Sequence, residues 1–297
     1  MARPLALAID IGGTKIAAGL VDRSGALIRR EQTATAGHAD GDALFATVVD
    51  LLDRLAWTDD REDVVVCGVG CGGPMTPGGA AVSPVNIPVW RDFPLRERLA
   101  AATGLEVHID NDAKALALAE GWLGAAVGVA NFLGMVVSTG VGGGIVLEGR
   151  LLGGESGNAG HIGHVNVEPE GHRCGCGARG CLEAEASGTA IAAITGRPPS
   201  EASPEVIART GTYVGRAVAS VANLLDLRLA VVGGSVALGF GEPFFAAAQQ
   251  ELERRARLAF AAGARIVPAQ LGDAGPLVGA AAVGWAAIGH DVGVVTS

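Results

Sequence analysis

The chain has 297 residues, 49% of them hydrophobic, and a formal net charge of −9 at pH 7. That is enough apolar sequence for one large domain or two moderate ones. An acidic balance without a basic run argues against a nucleic-acid surface. No apolar run reaches the roughly eighteen residues of a membrane helix. The opening Met-Ala-Arg-Pro-Leu-Ala-Leu-Ala-Ile-Asp turns polar too early for a signal peptide.

Residues 5–9 are a short apolar run ending at Asp10, which predicts a buried strand. Gly12-Gly13 turns the chain, and strands are predicted over 15–21 and 26–33. The spacing of Leu44, Val48, Leu51, Leu52 and Leu55 predicts a helix over 42–57. Val64-Val65-Val66 predicts a strand entering the glycine loop Gly68–Gly73, where Pro74 and Pro77 prevent a helix from starting. A helix at 95–102 ends at Gly104, a strand at 107–109 delivers Asp110-Asn111-Asp112, and a helix covers 112–123. The pattern then restarts with a strand at 132–138, a turn over Thr139–Gly144 and a returning strand at 145–148. Helices are predicted at 183–194, 204–225, 243–260 and 276–288, and strands at 229–232 and 265–267.

A glycine hairpin used twice suggests two related α/β halves. The expected division is a smaller domain over 1–118 and a larger one over 119–275. The segment 276–297 carries a last helix that packs back on the first domain.

Asp10-Ile-Gly12-Gly13-Thr14-Lys15 sits between two strands, where bare backbone N–H groups and the Thr14 hydroxyl can approach an anion. Asp10 is placed to bind Mg²⁺ directly or through water. The second hairpin, through Thr139 and Gly140, could grip a polyphosphate from the other side, and Gly233-Gly234 offers bare backbone to an adenine or ribose. There is no G-x-x-x-x-G-K-[ST] loop, so a P-loop enzyme is unsupported. Gly68–Gly73 matches G-x-G-x-x-G, but the prolines after it deny the helix that a dinucleotide site requires. Asn111-Asp112 follows a strand near the cleft between halves. Asp112 could accept a hydroxyl proton in phosphoryl transfer, or Asp110 or Asp112 could cap the following helix. Cys174, Cys176 and Cys181 fall within eight residues, with His164 ten residues upstream. Thiolates and a neutral imidazole suit a closed, structural Zn²⁺ site, and thiols that must stay reduced suit the cytoplasm. Cys67 and Cys71 read as small buried thiols, and Trp90, in the loop after Asn86, as a possible pocket wall.

Together these motifs resemble the ROK family, bacterial sugar kinases and related repressors with the actin-like ATPase (ribonuclease H-like) fold. The resemblance spans Asp10–Lys15, Gly70–Pro74, Asn111-Asp112, Ser138–Gly144, Gly160–His164, Cys174–Glu183 and Val231–Ser235. It implies two α/β domains around a cleft that takes ATP, Mg²⁺ and a hexose, and a homodimer or homotetramer. Asp112 then matches the catalytic base for the sugar 6-hydroxyl. Asn86, Asn111, His161, His164 and Glu183 match sugar contacts. Asp10, Gly12, Gly13, Thr14, Lys15, Thr139, Gly140, Gly233 and Gly234 fall where the family holds ATP. His164, Cys174, Cys176 and Cys181 match its zinc ligands.

One departure stands out. The family usually has a glutamate at the position of His161, and bacterial N-acetylmannosamine kinases are similar to this chain there. The segment Asn86-Ile-Pro-Val-Trp90-Arg-Asp-Phe-Pro94 instead resembles glucokinases. The expectation is therefore a glucokinase-like hexose 6-phosphotransferase, with an N-acylhexosamine kinase as alternative. A sugar-responsive repressor of the same family would carry a helix-turn-helix before the first hairpin, which here begins at Asp10.

Overall fold

The computed structural model describes residues 3–35 and 37–296. The first half of the chain runs β1 (Leu5–Ile11), β2 (Lys15–Asp22), β3 (Leu27–Ala34), α1 (Gly41–Leu55), β4 (Val64–Cys71), α2 (Leu95–Thr103), β5 (Val107–Asn111) and α3 (Asp112–Leu123). The second runs β6 (Phe132–Val137), β7 (Val141–Leu147), β8 (Arg150–Leu151), α4 (Leu182–Ala186), α5 (Gly188–Thr195), α6 (Pro204–Leu225), β9 (Leu229–Gly233), α7 (Ser235–Phe240), α8 (Glu242–Arg255), β10 (Arg265–Pro268) and α9 (Gly275–Ala287).

The strands form two five-stranded sheets, ordered β3-β2-β1-β4-β5 and β10-β9-β6-β7-β8. Reversing the second order gives the same plan: an antiparallel meander continued by two parallel strands. Strands buried on both faces read as unbroken apolar runs, which is how β1, β4 and β9 appear in the sequence.

Two small-residue helices lie between the sheets. A Cβ at Gly134 or Gly144 would land 2.7 and 2.8 Å from α3 atoms, and one at Gly68 would land 2.0 Å from the Ala280 carbonyl oxygen of α9. α3 and α9 meet at Gly279, whose added Cβ would sit 2.6 Å from the Ala115 carbonyl oxygen. Close helix–sheet approach of this kind demands glycine and alanine at the contact. α9 is therefore apolar around its whole circumference, from Leu277 to Trp285, and packs against β1 and β4 of the first sheet. The outer faces are covered by α1 on the first sheet and by α6 and α8 on the second.

Four local expectations are corrected. Gly142, Gly143 and Gly144 are in strand β7 rather than in a turn, paired with Val136, Met135 and Gly134. Glycine is required at 142 and 144 by α3 pressing on the strand, and at 143 by Gly160 and Ile162 on the other face, not by a reversal of the chain. The helix expected over 183–194 is two helices, broken at Ser187, whose hydroxyl caps α5 by accepting from Ala190 N–H at 3.0 Å. α8 stops at Arg255 rather than at 260, and a separate short helix, α7, starts at Ser235. Trp90 is not a pocket wall. It is fully buried, donates from Nε1 to the Gly41 carbonyl at 3.0 Å and stacks on Phe93 with centroids 4.7 Å apart.

Candidate active site

The parallel register of β1, β4 and β5 brings their C-terminal ends into one row. Asp10 lies opposite Gly70, and Gly70 opposite Asp110. The residue that leaves room between them is Gly70: a Cβ there would sit 3.6 Å from Asp10 Oδ1 and 3.7 Å from Asp112 Cα. Two carboxylates separated in sequence by a hundred residues thus face one space. Burial, reinforced by the Asp112 charge and opposed by Lys15, pushes the Asp10 carboxyl up to about 7. Burial also raises Asp112, against the Ala113 N–H. A pair of carboxylates in this condition favours a cation between or beside them.

The row opens into a cleft of about 800 Å³ between the sheets. Asp10, Gly12, Gly13, Thr14, Lys15, Asn86, Asn111, Asp112, Thr139, Gly140, His161, His164, Glu183, Gly233 and Gly234 all line it. The tips of the two glycine hairpins meet across it, Thr14 Oγ1 standing 3.1 Å from Thr139 Oγ1. The first turn is closed by Gly12 N–H donating to the Lys15 carbonyl at 3.0 Å. Past the hairpins the wall is formed by Gly233, Gly234 and Ser235 at the start of α7, with Leu238 and Asp273.

At the other end, Asn111 is the residue that caps α3, its Oδ1 accepting from Ala113 N–H at 3.0 Å. The expectation that Asp110 or Asp112 would cap is corrected. Asp110 instead pairs with buried Lys114 at 3.4 Å, and Asp112 is the first helical residue. With Oδ1 engaged, Asn111 has its Nδ2 donor free to face the cleft. That nitrogen and His161 Nε2 both lie 3.3 Å from the point where a Gly73 Cβ would be. His161 Nδ1 is 2.8 Å from the Asn158 carbonyl oxygen. A carbonyl only accepts, so Nδ1 carries the proton and Nε2 is left as an acceptor. Glu183 Oε2 accepts from Val141 N–H at 2.9 Å, binding α4 to the second hairpin. The cleft end beside His161 therefore offers a donor, an acceptor and carboxylates in a small space.

His164 joins this end to a second cluster. Its Nδ1 is 3.6 Å from Cys174 Sγ, Cys176 Sγ is 3.8 Å from Cys181 Sγ, and all four donor atoms lie within 4.8 Å of one another. Tetrahedral zinc with Zn–S near 2.3 Å would place its sulfurs about 3.8 Å apart. The cluster could hold such an ion, and with four protein donors it would leave no open position. Cys67 and Cys71 lie apart from it, fully buried in β4.

Some lining residues escaped the sequence reading. Leu238 sits on α7, whose six residues are too few for apolar periodicity to register. Glu120 lies on α3, fully buried, accepting from the N–H groups of Ala125, Gln270 and Leu271 at 2.8–3.2 Å. An acidic residue alone among apolar neighbours is the one signal that could have marked it.

Comparison with known proteins gives consistent relatives. The ROK family model matches residues 6–286. N-acetylmannosamine kinase of Yersinia pseudotuberculosis serotype O:1b is 40% identical over 250 residues, covering 79% of this chain and 84% of the relative. Among solved structures, a ROK hexokinase from Thermus thermophilus is 35% identical with a TM-score of 0.81, covering 96% of this chain and 99% of the other. A ROK family glucokinase from Streptomyces griseus, solved with glucose and AMPPNP, is 32% identical with a TM-score of 0.80 over 94% and 99%. The fold is the actin-like ATPase fold of these sugar kinases, two α/β sheets with their helices around a cleft.

Proposed function

The chain belongs to the ROK family, and from that premise we propose that it transfers the γ-phosphoryl group of ATP to the 6-hydroxyl of a hexose. The observation that carries this reading is the convergence of Asp10, both glycine hairpins and Asp112 on one cleft. Backbone N–H groups of the hairpins, with the Thr14 and Thr139 hydroxyls, hold the β- and γ-phosphates. Gly233 and Gly234 lie against the nucleoside. Mg²⁺ at Asp10, if bound, neutralises phosphate charge. Asp112 accepts the proton of the 6-hydroxyl as its oxygen bonds to phosphorus and the bond to ADP breaks. Burial, which raises Asp112, makes it a better base than an exposed carboxylate. Asn86, Asn111, Glu183, His161 and His164 orient the sugar. His164, Cys174, Cys176 and Cys181 would hold a zinc ion that, when bound, would supply no chemistry and would fix the loop presenting His164. Metal-binding thiolates require a reducing compartment, and we assign the protein to the cytoplasm.

For the sugar we favour an N-acylhexosamine such as N-acetylmannosamine. The support is His161, which offers one acceptor nitrogen where a carboxylate would accept from two hydroxyls, and the 40% identity to an N-acetylmannosamine kinase. Glucose is the second reading, favoured by the likeness to a glucose-bound glucokinase. A coupled ADP-release assay across glucose, mannose, glucosamine and the N-acetylated hexosamines tests both. Sugar-independent ATP consumption, or none with any hexose, would remove the proposal. Replacing His161 with Glu and measuring the ratio of kcat/KM for glucose and N-acetylmannosamine tests the sugar assignment: an unchanged ratio rejects it.

A further inference from the structure

His161 is held by a neighbour that the proposed reaction does not use. The segment leading to it is fastened to the first half of the chain at two adjacent residues. The Gly157 carbonyl accepts from Lys114 Nζ at 2.6 Å, and that ammonium is almost fully buried and also 3.4 Å from Asp110 Oδ1. Asn158 then grips Met75 with both ends of its amide. Its Oδ1 accepts from Met75 N–H at 3.2 Å, and its Nδ2 donates to the Met75 carbonyl at 2.9 Å. A carboxamide making both main-chain bonds of one residue copies a strand partner, and no other side-chain type of that length carries a donor and an acceptor together. Met75 ends the glycine turn that faces Asn111 and His161, so the grip fixes the distance between that turn and the segment carrying His161. From the same residue, the Asn158 carbonyl takes the His161 Nδ1 proton at 2.8 Å.

We propose that Asn158 is a positioning residue. Its side chain anchors the segment to the Gly72–Met75 turn so that its own carbonyl keeps His161 in the Nδ1–H tautomer, presenting Nε2 as a lone acceptor. A free imidazole has no such restriction, and a ring that rotated or exchanged tautomers would set a donor where the acceptor stands. Lys114 reinforces the anchor but does not choose the tautomer, because its bond to the segment goes to the Gly157 carbonyl and not to Asn158 or His161. The assignment of Nε2 to a substrate hydroxyl or amide rests on the sugar-kinase reading. The anchoring and the tautomer do not.

Two variants separate the bonds. Asn158→Asp keeps the acceptor for Met75 N–H and sets a carboxylate oxygen against the Met75 carbonyl, whereas Asn158→Ala removes both. Long-range ¹H–¹⁵N spectra of the imidazoles read the tautomer directly. The parent should show His161 protonated at Nδ1, and both variants a mixture with Nε2–H. In steady-state kinetics both should raise the sugar KM about tenfold, with kcat and the ATP KM nearly unchanged. An Nε2–H tautomer in the parent overturns the proposal without any variant. So does a pure Nδ1–H spectrum in Asn158→Ala, or a rise in both KM values together. If no hexose is phosphorylated, the functional reading falls while the spectra still decide the role of Asn158.

Discussion

Gly160→Ala is the sharpest test of how the proposed sugar end of the cleft is built. Gly160 has φ of +101°, and a Cβ on it would lie 2.2 Å from the Gly143 carbonyl oxygen. Something must retreat by 0.8 Å to clear the 3.0 Å below which such contacts essentially never occur, and by 1.2 Å to reach ordinary contact at 3.4 Å, both counted from that 2.2 Å. Gly143 is not free to move, because it lies in the middle of the β6–β7 ladder opposite Met135. The displacement therefore falls on the segment that carries His161. Backbone strain at a glycine-only φ costs about 1–3 kcal/mol, and overpacking against a fixed carbonyl costs about 1–3 kcal/mol. We expect a loss of about 3 kcal/mol in urea unfolding with the slope unchanged. An imidazole moved by more than an ångström loses its partners, so the sugar KM should rise tenfold or more, and the ATP KM should stay within about twofold. A loss under about 1 kcal/mol with an unaltered sugar KM would refute the reasoning.

The proposed nucleotide side has a matching perturbation. Gly234 has φ of +95°, and its Cβ would lie 2.4 Å from the Val137 carbonyl oxygen. Gly234→Ala should raise the ATP KM and leave sugar affinity by calorimetry in place; the opposite pattern would misplace the nucleotide. Asp112→Asn should lower kcat by about 10²–10⁴ while sugar still binds, and near-normal turnover would remove Asp112 from the proton transfer. In the proposed proton transfer Asp112 acts ionised, and its carboxyl is raised by burial, so activity should fall with decreasing pH at a higher pH than for an exposed carboxylate. A profile flat down to pH 4 would contradict this. Stripping metal with a strong chelator should expose the segment between His164 and Cys181 to trypsin at Arg173 and Arg179, with cleavage suppressed by added Zn²⁺. Equal cleavage with and without the chelator would argue against a bound ion.

Much of this was legible in the linear chain. Strands buried on both faces announce themselves as apolar runs, so β1, β6 and β9 were found close to their limits, whereas β4 runs on through Gly68 and Gly70 to Cys71, where a glycine loop was expected. The cysteine cluster and the two glycine hairpins were legible because their chemistry is local: ligands or turn residues within a few positions of one another. The reading failed where a residue's reason lies in a distant partner. Gly142–Gly144 looked like a turn because glycine usually means one, yet the cause is α3 lying on one face of the strand and the Gly160–Ile162 segment on the other. Ser187 broke a helix that periodicity alone would have continued, by capping the next one.

By itself, then, the order of residues set the doubled α/β pattern, the cysteine–histidine cluster and which residues could carry phosphate chemistry, since each depends on short-range spacing or on composition. Only the tertiary structure decided that Asp10 and Asp112 share one space, that Asn111 rather than its acidic neighbours caps α3, and that His161 turns an acceptor toward the cleft. Those three depend on strand register and on hydrogen bonds between segments far apart in sequence, and no local pattern encodes a register.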